Sequence, residues 1–432
     1  MFLISVRRNV CLLLLASMAH LWLGDVFAQS PENLPQAADY LGEIRRGADG
    51  KLTVLPKVEQ AERQQGAEML PKATMRVGVG EKISTLSQAA SLAKDGEVID
   101  VRPGIYRGQP AIWTQNNLLI RGVGERPVML ADGQSAEGKA IWVIRGGNMR
   151  IENIEFRGAR VAAGNGAGIR FEKGHLTIQA CRFADNEMGI LTANNSDLTL
   201  AVIDSEFGEA PRHAGQLHHL LYVGAIGQFV LRGSRFQNGY LGHLVKSRAR
   251  ENHLLYNLLV DGAGGQASYE LEFPNGGIAY VIGNVIGQSA GTDNPTIVSY
   301  GAEGARWPEN GLYLAHNTLL NDKHDGSFLR IWREAFPAGL EAWALNNLTV
   351  GQGDFFQPAQ GRFEGNRSAL RGEMIEYGGL PLRLTNLSPL RGSVRPPGSV
   401  GAVELMPNAE FVYPAGSKPV RVTSHLSPGA FQ

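Results

Sequence analysis

Cysteine is nearly absent from this chain: its 432 residues contain two, Cys11 and Cys181. Cys11 lies in an apolar N-terminal stretch that reads as a leader, so the mature chain keeps one thiol and no internal disulfide. Net charge is absent too, with 41 basic residues against 41 acidic ones. A neutral chain has no broad field to draw nucleic acid or a membrane surface, and an acidic ligand must be met by a local cluster. Long hydrophobic runs are missing apart from Val10 to Gly24, which is too short and poorly flanked for a membrane span. Long helical periodicity is lacking as well. Instead, 54 glycines punctuate many short apolar runs, the mark of frequent turns between strands.

What is present begins with an export signal. Arg7 and Arg8 precede the apolar stretch and Val26-Phe27-Ala28 follows it, so cleavage is expected after Ala28, with an uncleaved anchor as the alternative. The mature protein is then periplasmic or extracellular, with no membrane span after signal cleavage. Residues 29–73, rich in Gln, Pro, Glu and Ala, read as a linker or extension. Ser84 to Lys94 forms a short amphipathic helix with Leu86, Ala89, Ala90 and Leu92 on or near one face, ended by Gly96. Glu97–Val101 is the first clear strand. A solenoid exposes core at its ends, and this helix is placed to cap one of them.

A strand phrase then recurs. Its marker position is held by Ile154, Cys181, Ser205, Ser234, Asn257, Asn284, Asn317, Asn347 and Asn366, at steps of 27, 24, 29, 23, 27, 33, 30 and 19 residues. Three residues earlier stand Ile151, Ile178, Val202, Leu231, Leu254, Val281, Leu314 and Ala344. Two later stand Phe156, Phe183, Phe207, Phe236, Leu259, Ile286 and Leu319. Two apolar side chains thus enter the interior across a bend, once per coil. Asn at the bend can bond its own backbone and the Asn of the next coil, so the marker asparagines are expected to form a structural ladder. The steps are too short and variable for a propeller, and the hairpin signals of a sandwich are missing. The expected fold class is therefore all-β: a single-stranded right-handed parallel β-helix over residues 74–380 with a short N-terminal capping helix. Residues 381–432 are expected to be a loop-rich tail packing on the last coils. Cys181, inside the strand pattern Leu176–Phe183, is expected to be a buried thiol.

Chemistry on such a fold appears as polar residues at one offset in neighbouring coils, about 4.8 Å apart. These residues concentrate between His213 and Gly304. Tyr222 stands twelve residues before its marker, Lys246 eleven and Glu272 twelve, so the three are expected to stack on one face. Alternation puts Lys246 and Arg248 on one face and His243 on the other if the strand is straight. Glu270 and Glu272 share a face by the same rule. Solvated charges on an outer sheet are the bland reading of all of these. A metal site at His213, His218 and His219 has no ligand spacing to support it.

Lys246-Ser247 followed by Asn257, and Glu270 to Gly277 before Asn284, resemble elements of exported β-helix polysaccharide lyases of the alginate-lyase and chondroitinase-B type, within the pectate-lyase-like superfamily. The general resemblance covers about residues 80–380, the lyase-like part about 240–290. The chain departs from those lyases in one element: where they carry Arg-His-Gly, two carboxylates stand here. The resemblance implies β-elimination at a uronide of an acidic polysaccharide, with Lys246 as the base, its pKa depressed by Arg248 or Arg250, and Tyr222 or a nearby His such as His219 as the acid. His218, His243, Arg250, Tyr269 and Tyr300 are the expected substrate-binding residues. Glu270 and Glu272 are candidates to hold Ca²⁺, which would neutralise the enolate. A hydrolase using Glu270, Glu272 or Glu303 is a second enzymatic option, and a non-catalytic glycan-binding or surface-structural β-helix is the alternative outside enzymes. A monomer is expected.

Overall fold

The chain divides into two units, Met1–Asp39 and Tyr40–Gln432. The structure is a computed structural model that describes, all within the second unit, residues 44–46 and 52–54 as an antiparallel strand pair and residues 71–432 apart from 214–216, 338, 356–360 and 421–424. The expected leader and most of the expected linker lie outside the described residues. Among the described residues no helix is long and apolar enough to cross a membrane.

Three parallel sheets of twelve, eleven and ten strands wind into a right-handed parallel β-helix of about ten coils. The first sheet runs from Met75–Val77 to Gly361–Glu364, the second from Ile105–Arg107 to Arg367–Ala369, and the third from Ala111–Trp113 to Asp354–Phe355. In the coil of Asn257, Glu251–Leu255 belongs to the first sheet, Leu258–Val260 to the second and Leu271–Phe273 to the third. The marker residue sits at the corner between the first two sheets. Leu254 and Leu259 on either side of it have no exposed surface, as the phrase requires. The strand pattern around Cys181 bends at the marker: Ala180 has φ 51, and the strands are His175–Gln179 and Arg182–Ala184. Cys181 is buried, and the loss of water pushes its thiol up to about 12.

The ladder is visible in the hydrogen bonds. From Ser234 onward the marker backbone N–H donates to the side-chain oxygen of the next marker: Ser234 to Asn257 at 2.9 Å, Asn257 to Asn284 at 2.9 Å, Asn284 to Asn317 at 3.0 Å, Asn317 to Asn347 at 2.9 Å and Asn347 to Asn366 at 3.0 Å. Serine hydroxyls continue the same bond upstream, from Cys181 to Ser205 and from Ser205 to Ser234, both at 3.1 Å. The corner needs an acceptor of short reach, which serine and asparagine both supply. The residues two after the marker form a second internal column. Phe156, Phe183, Phe207 and Phe236 stack with centroids 5.2, 4.6 and 4.4 Å apart, and Trp142 and Trp113 extend the column with edge contacts. In-register parallel strands set this spacing, and each ring pair adds dispersion to the area it buries.

Helix α1 spans Leu86–Leu92, with the Thr85 hydroxyl accepting from Gln88 N at 3.2 Å as its N-cap. Leu86, Ala89, Ala90 and Ala93 face the core, whereas Leu92, expected on that face, is half exposed because 3.6 residues per turn bring Ala93 round instead. The last parallel strand is Arg367–Ala369. Beyond it, antiparallel hairpins and irregular chain cover the outer faces of the later coils. Leu405 and Ala409 pack with Tyr256, Tyr280 and Tyr313, and Tyr256 Oη donates to Asn408 Oδ1 at 2.7 Å.

Candidate functional site

The third sheet turns one column of side chains outward. In its register Leu191, Tyr222, Lys246, Glu272, Ser299 and Arg330 follow one another on adjacent strands. The Tyr222–Lys246–Glu272 alignment that the spacing suggested is thus the register observed. Each member sits between two core residues of its strand, Lys246 between Val245 and Ser247, so its side chain has no route except outward.

Lys246 Nζ lies 3.1 Å from Glu272 Oε2 and 2.9 Å from Glu303 Oε1. Arg248, two residues on and on the same face, reaches three groups. Its Nη2 is 2.6 Å from Glu303 Oε2, its Nε donates to Tyr222 Oη at 2.9 Å, and its Nη1 donates to Asn275 Oδ1. Asn275 is held by the turn that follows the Glu272 strand. Gly276 and Gly277 there have φ 71 and 88, and a Cβ on Gly277 would come within 2.7 Å of the Ala249 and Arg250 carbonyls. Glycine is required for that close approach. Trp307 roofs one side, its Nε1 donating to Arg248 O at 3.0 Å.

Behind the column stand two histidines. His243 Nε2 lies 2.8 Å from Glu272 Oε2, and the His243 backbone N–H donates to His219 Nδ1 at 2.9 Å. The His219 ring packs against those of His243 and Tyr222 at 4.6 and 5.3 Å. Burial holds both imidazoles below their ordinary range, His219 well below it, and the nearby Lys246 charge adds to this. Both are neutral near pH 7. Glu272 and Glu303 are pushed up by burial, but the contacts with His243 and Lys246 for the first, and with Lys246 and Arg248 for the second, outweigh this and keep both carboxyls below the usual range.

Several expectations are corrected. A straight strand would put His243 and Lys246 on opposite faces, yet both meet the same Glu272 oxygen. The strand begins only at Val245, and the corner before it leaves Gly242 to Val245 all buried, which breaks the alternation. Glu270 and Glu272 do not share a face for the same reason. Glu270 is fully buried, and burial with the neighbouring Asp261 raises its carboxyl well above the usual range. Glu272 meets an ammonium and an imidazole. Calcium takes six to eight oxygens, so this donor set does not fit it, and among the described residues no group of three or more acidic, His or Cys side chains fits a metal ion. Tyr300 is buried against Phe336 at 5.3 Å and donates to Gly277 O, so it supports the turn under Asn275 and cannot touch a polymer. His218 has no exposed surface and packs at a tilt against His213, with ring centres 4.6 Å apart. His219 is likewise enclosed behind Tyr222. Arg250 points outward to Glu309 at 3.1 Å, outside the cluster. Tyr269 borders the site through His243, at 5.0 Å between rings. Of the two cations expected beside Lys246, Arg248 shares the Glu303 carboxylate with it, whereas Arg250 is outside the cluster, and the groups nearest the Lys246 ammonium are the carboxylates of Glu272 and Glu303.

Sequence reasoning missed Arg330, Trp332 and Trp307. Arg330 extends the column, its guanidinium stacked 3.7 Å from the centre of the Trp332 ring, and Trp332 Nε1 donates to Ser299 Oγ at 3.3 Å. The signal was the shared register offset, hidden by the differing loop lengths.

No family model matches the chain, and no curated protein does. Among solved structures, the crystal structure of pectate lyase Pel9A is similar, with a TM-score of 0.58 at 13% identity over 84% of this chain and 97% of that one. The alginate lyase from Paenibacillus sp. str. FPU-7 aligns with a TM-score of 0.45 at 13% identity, over 69% of this chain and 100% of that one. The class is therefore a parallel β-helix protein of pectate-lyase-like fold.

Proposed function

We propose that this chain acts on an acidic polysaccharide laid along the third sheet, by β-elimination at a uronide. One observation carries the reading: Tyr222 and Lys246, in register with Glu272 and Arg330, converge with Arg248 on one outward face. Elimination needs three things: a cation on the substrate carboxylate, a base at the carbon beside it and a proton for the departing oxygen. Arg248 supplies a planar, permanently charged fork for the carboxylate. Lys246 stands beside it, its ammonium fixed by Glu272 at 3.1 Å, and it acts as base once that proton has passed to solvent. Tyr222 Oη accepts from Arg248 and keeps its own proton to donate. Neutral His243 and His219 position Glu272 and Tyr222 from behind. Stacked Arg330 and Trp332 extend the face by about 10 Å, two strand spacings from Glu272, enough for further sugar rings. The fold shared with pectate lyase Pel9A supports the same reading. A polymer substrate suits the exported location that the N-terminal leader suggests.

The test is ultraviolet absorbance of unsaturated product, with polygalacturonate, alginate, chondroitin sulfate and hyaluronan offered in turn to the wild-type protein. One of these is expected to yield product. Reducing ends released without unsaturation would move the assignment to hydrolysis. Tight binding with no turnover would leave a glycan-binding β-helix.

A further inference from the structure

We infer that Lys246 and Arg248 form a subsite for the carboxylate of a uronate, and that Glu303 fills this subsite until a substrate displaces it. The inference rests on the proposed action on acidic polysaccharide and names how that same site is gated. The two oxygens of Glu303 are divided between two cations, Oε1 at 2.9 Å from Lys246 Nζ and Oε2 at 2.6 Å from Arg248 Nη2. A carboxylate bridged in this way is the arrangement a uronate would need. Charge-assisted bonds to both oxygens also fix its plane.

Burial separates the cap from the floor. The Glu272 side chain is 3% exposed, that of Lys246 11% and that of Arg248 19%, but that of Glu303 is 43% exposed. Glu303 therefore lies over the cluster and Glu272 beneath it. Glu303 also comes from a loop and not from a sheet strand. Its loop follows the strand Thr296–Tyr300, is tied by Glu303 N to Pro274 O at 2.8 Å, and has Gly301 and Gly304 on either side at φ 88 and 87. Removing Glu303 leaves Lys246 with Glu272 and leaves Arg248 with Tyr222 and Asn275, so the floor keeps its partners. The cap's energetic share is that of a partly exposed ion pair, small enough for a substrate carboxylate to replace.

The probe is sodium galacturonate, titrated into the full chain by NMR and soaked into crystals. Glu303→Ala is expected to bind it at least about tenfold more tightly than wild type, with the carboxylate between Lys246 Nζ and the Arg248 guanidinium. Galacturonate methyl ester is expected not to bind there. Glu303→Gln keeps the size and removes the charge, so it should also bind more tightly and guards against a folding fault in the alanine variant. Equal or weaker binding by both variants, or a carboxylate seated elsewhere, overturns the inference. A wild-type protein that cleaves an acidic polymer, with no gain in either variant, leaves the proposed function standing and removes the cap. Galacturonate seated on the pair, with no acidic polymer bound or cut, supports the subsite and overturns the polysaccharide reading.

Discussion

Lys246 and Glu272 occupy the same register position on adjacent strands, and the ammonium of one lies 3.1 Å from the carboxylate of the other. The pair is built by the solenoid itself, because parallel strands repeat every side chain at one strand spacing. Histidine on one side and Glu303 on the other complete a line of alternating donors and acceptors. Four expected outcomes follow from this arrangement, from the corner ladder and from the contact of the last coils with the tail.

Lys246→Ala should lower the rate of unsaturated-product formation by about 10²-fold or more, the usual scale for loss of a positioned base. Lys246 is outward-facing and partly exposed, so the thermal transition should stay close to wild type. Absorbance kinetics beside a melting curve check both points. Activity surviving the substitution would remove Lys246 from the mechanism.

Arg248→Lys should weaken catalysis although the charge is kept. The guanidinium holds Tyr222, Asn275 and Glu303 at once, and a point-charge ammonium cannot reproduce that fork. The expected result is a raised KM with a lowered kcat, since both the substrate carboxylate and the phenol lose their anchor. Steady-state kinetics on the best polymer would show it.

Acid should loosen the contact between the last coils and the tail through His316. This imidazole is buried, its Nδ1 3.2 Å from Ser427 O and its Nε2 3.0 Å from Asn346 Nδ2, and burial lowers it to about 4. Protonation would set an N–H against the Asn346 amide hydrogens. A histidine depressed in the folded state gives stability that is fully present above the unfolded value near 6.5 and is lost as pH falls toward 4. The shift corresponds to roughly 3 kcal/mol at most. His316→Asn, a residue suited to the φ of 52 at this position, should flatten the melting temperature between pH 6.5 and 4. A slope unchanged from wild type would discard His316 as the source.

Asn284→Ala should destabilise by about 2–5 kcal/mol, because the Asn257 backbone N–H and Nδ2 both donate to Asn284 Oδ1 and would be left buried without an acceptor. Asn284→Ser should recover part of the loss, since serine fills the same role at Ser205 and Ser234. Denaturant titration of the three proteins measures the order. An alanine variant as stable as wild type would show that the ladder does not bear on stability.

The fold was legible because each of its causes is local and repeated. The residues three before and two after the marker had to be apolar to line a core on both sides of one bend, and the marker had to carry a short acceptor. The Tyr222–Lys246–Glu272 column was legible for the same reason, since loops of similar length keep the count. The rest of the site was not. His243 joins Glu272 only because the corner before Val245 abandons strand alternation, and no count along the chain reveals where a strand begins. Glu303 reaches Lys246 across 57 residues, from a loop whose path depends on two glycines and on Pro274 beneath it.

The sequence by itself determined the coil, the ladder and the outward direction of Lys246 and Arg248, because periodic side-chain placement needs only strand geometry and water. Tertiary structure alone decided which charges touch. It buried Glu270 and Tyr300, set two neutral histidines behind the column, and brought Glu303 over the two cations. Those outcomes depend on where irregular corners and loops come to rest, and the distance dependence of charge and burial turns small differences in that placement into different chemistry.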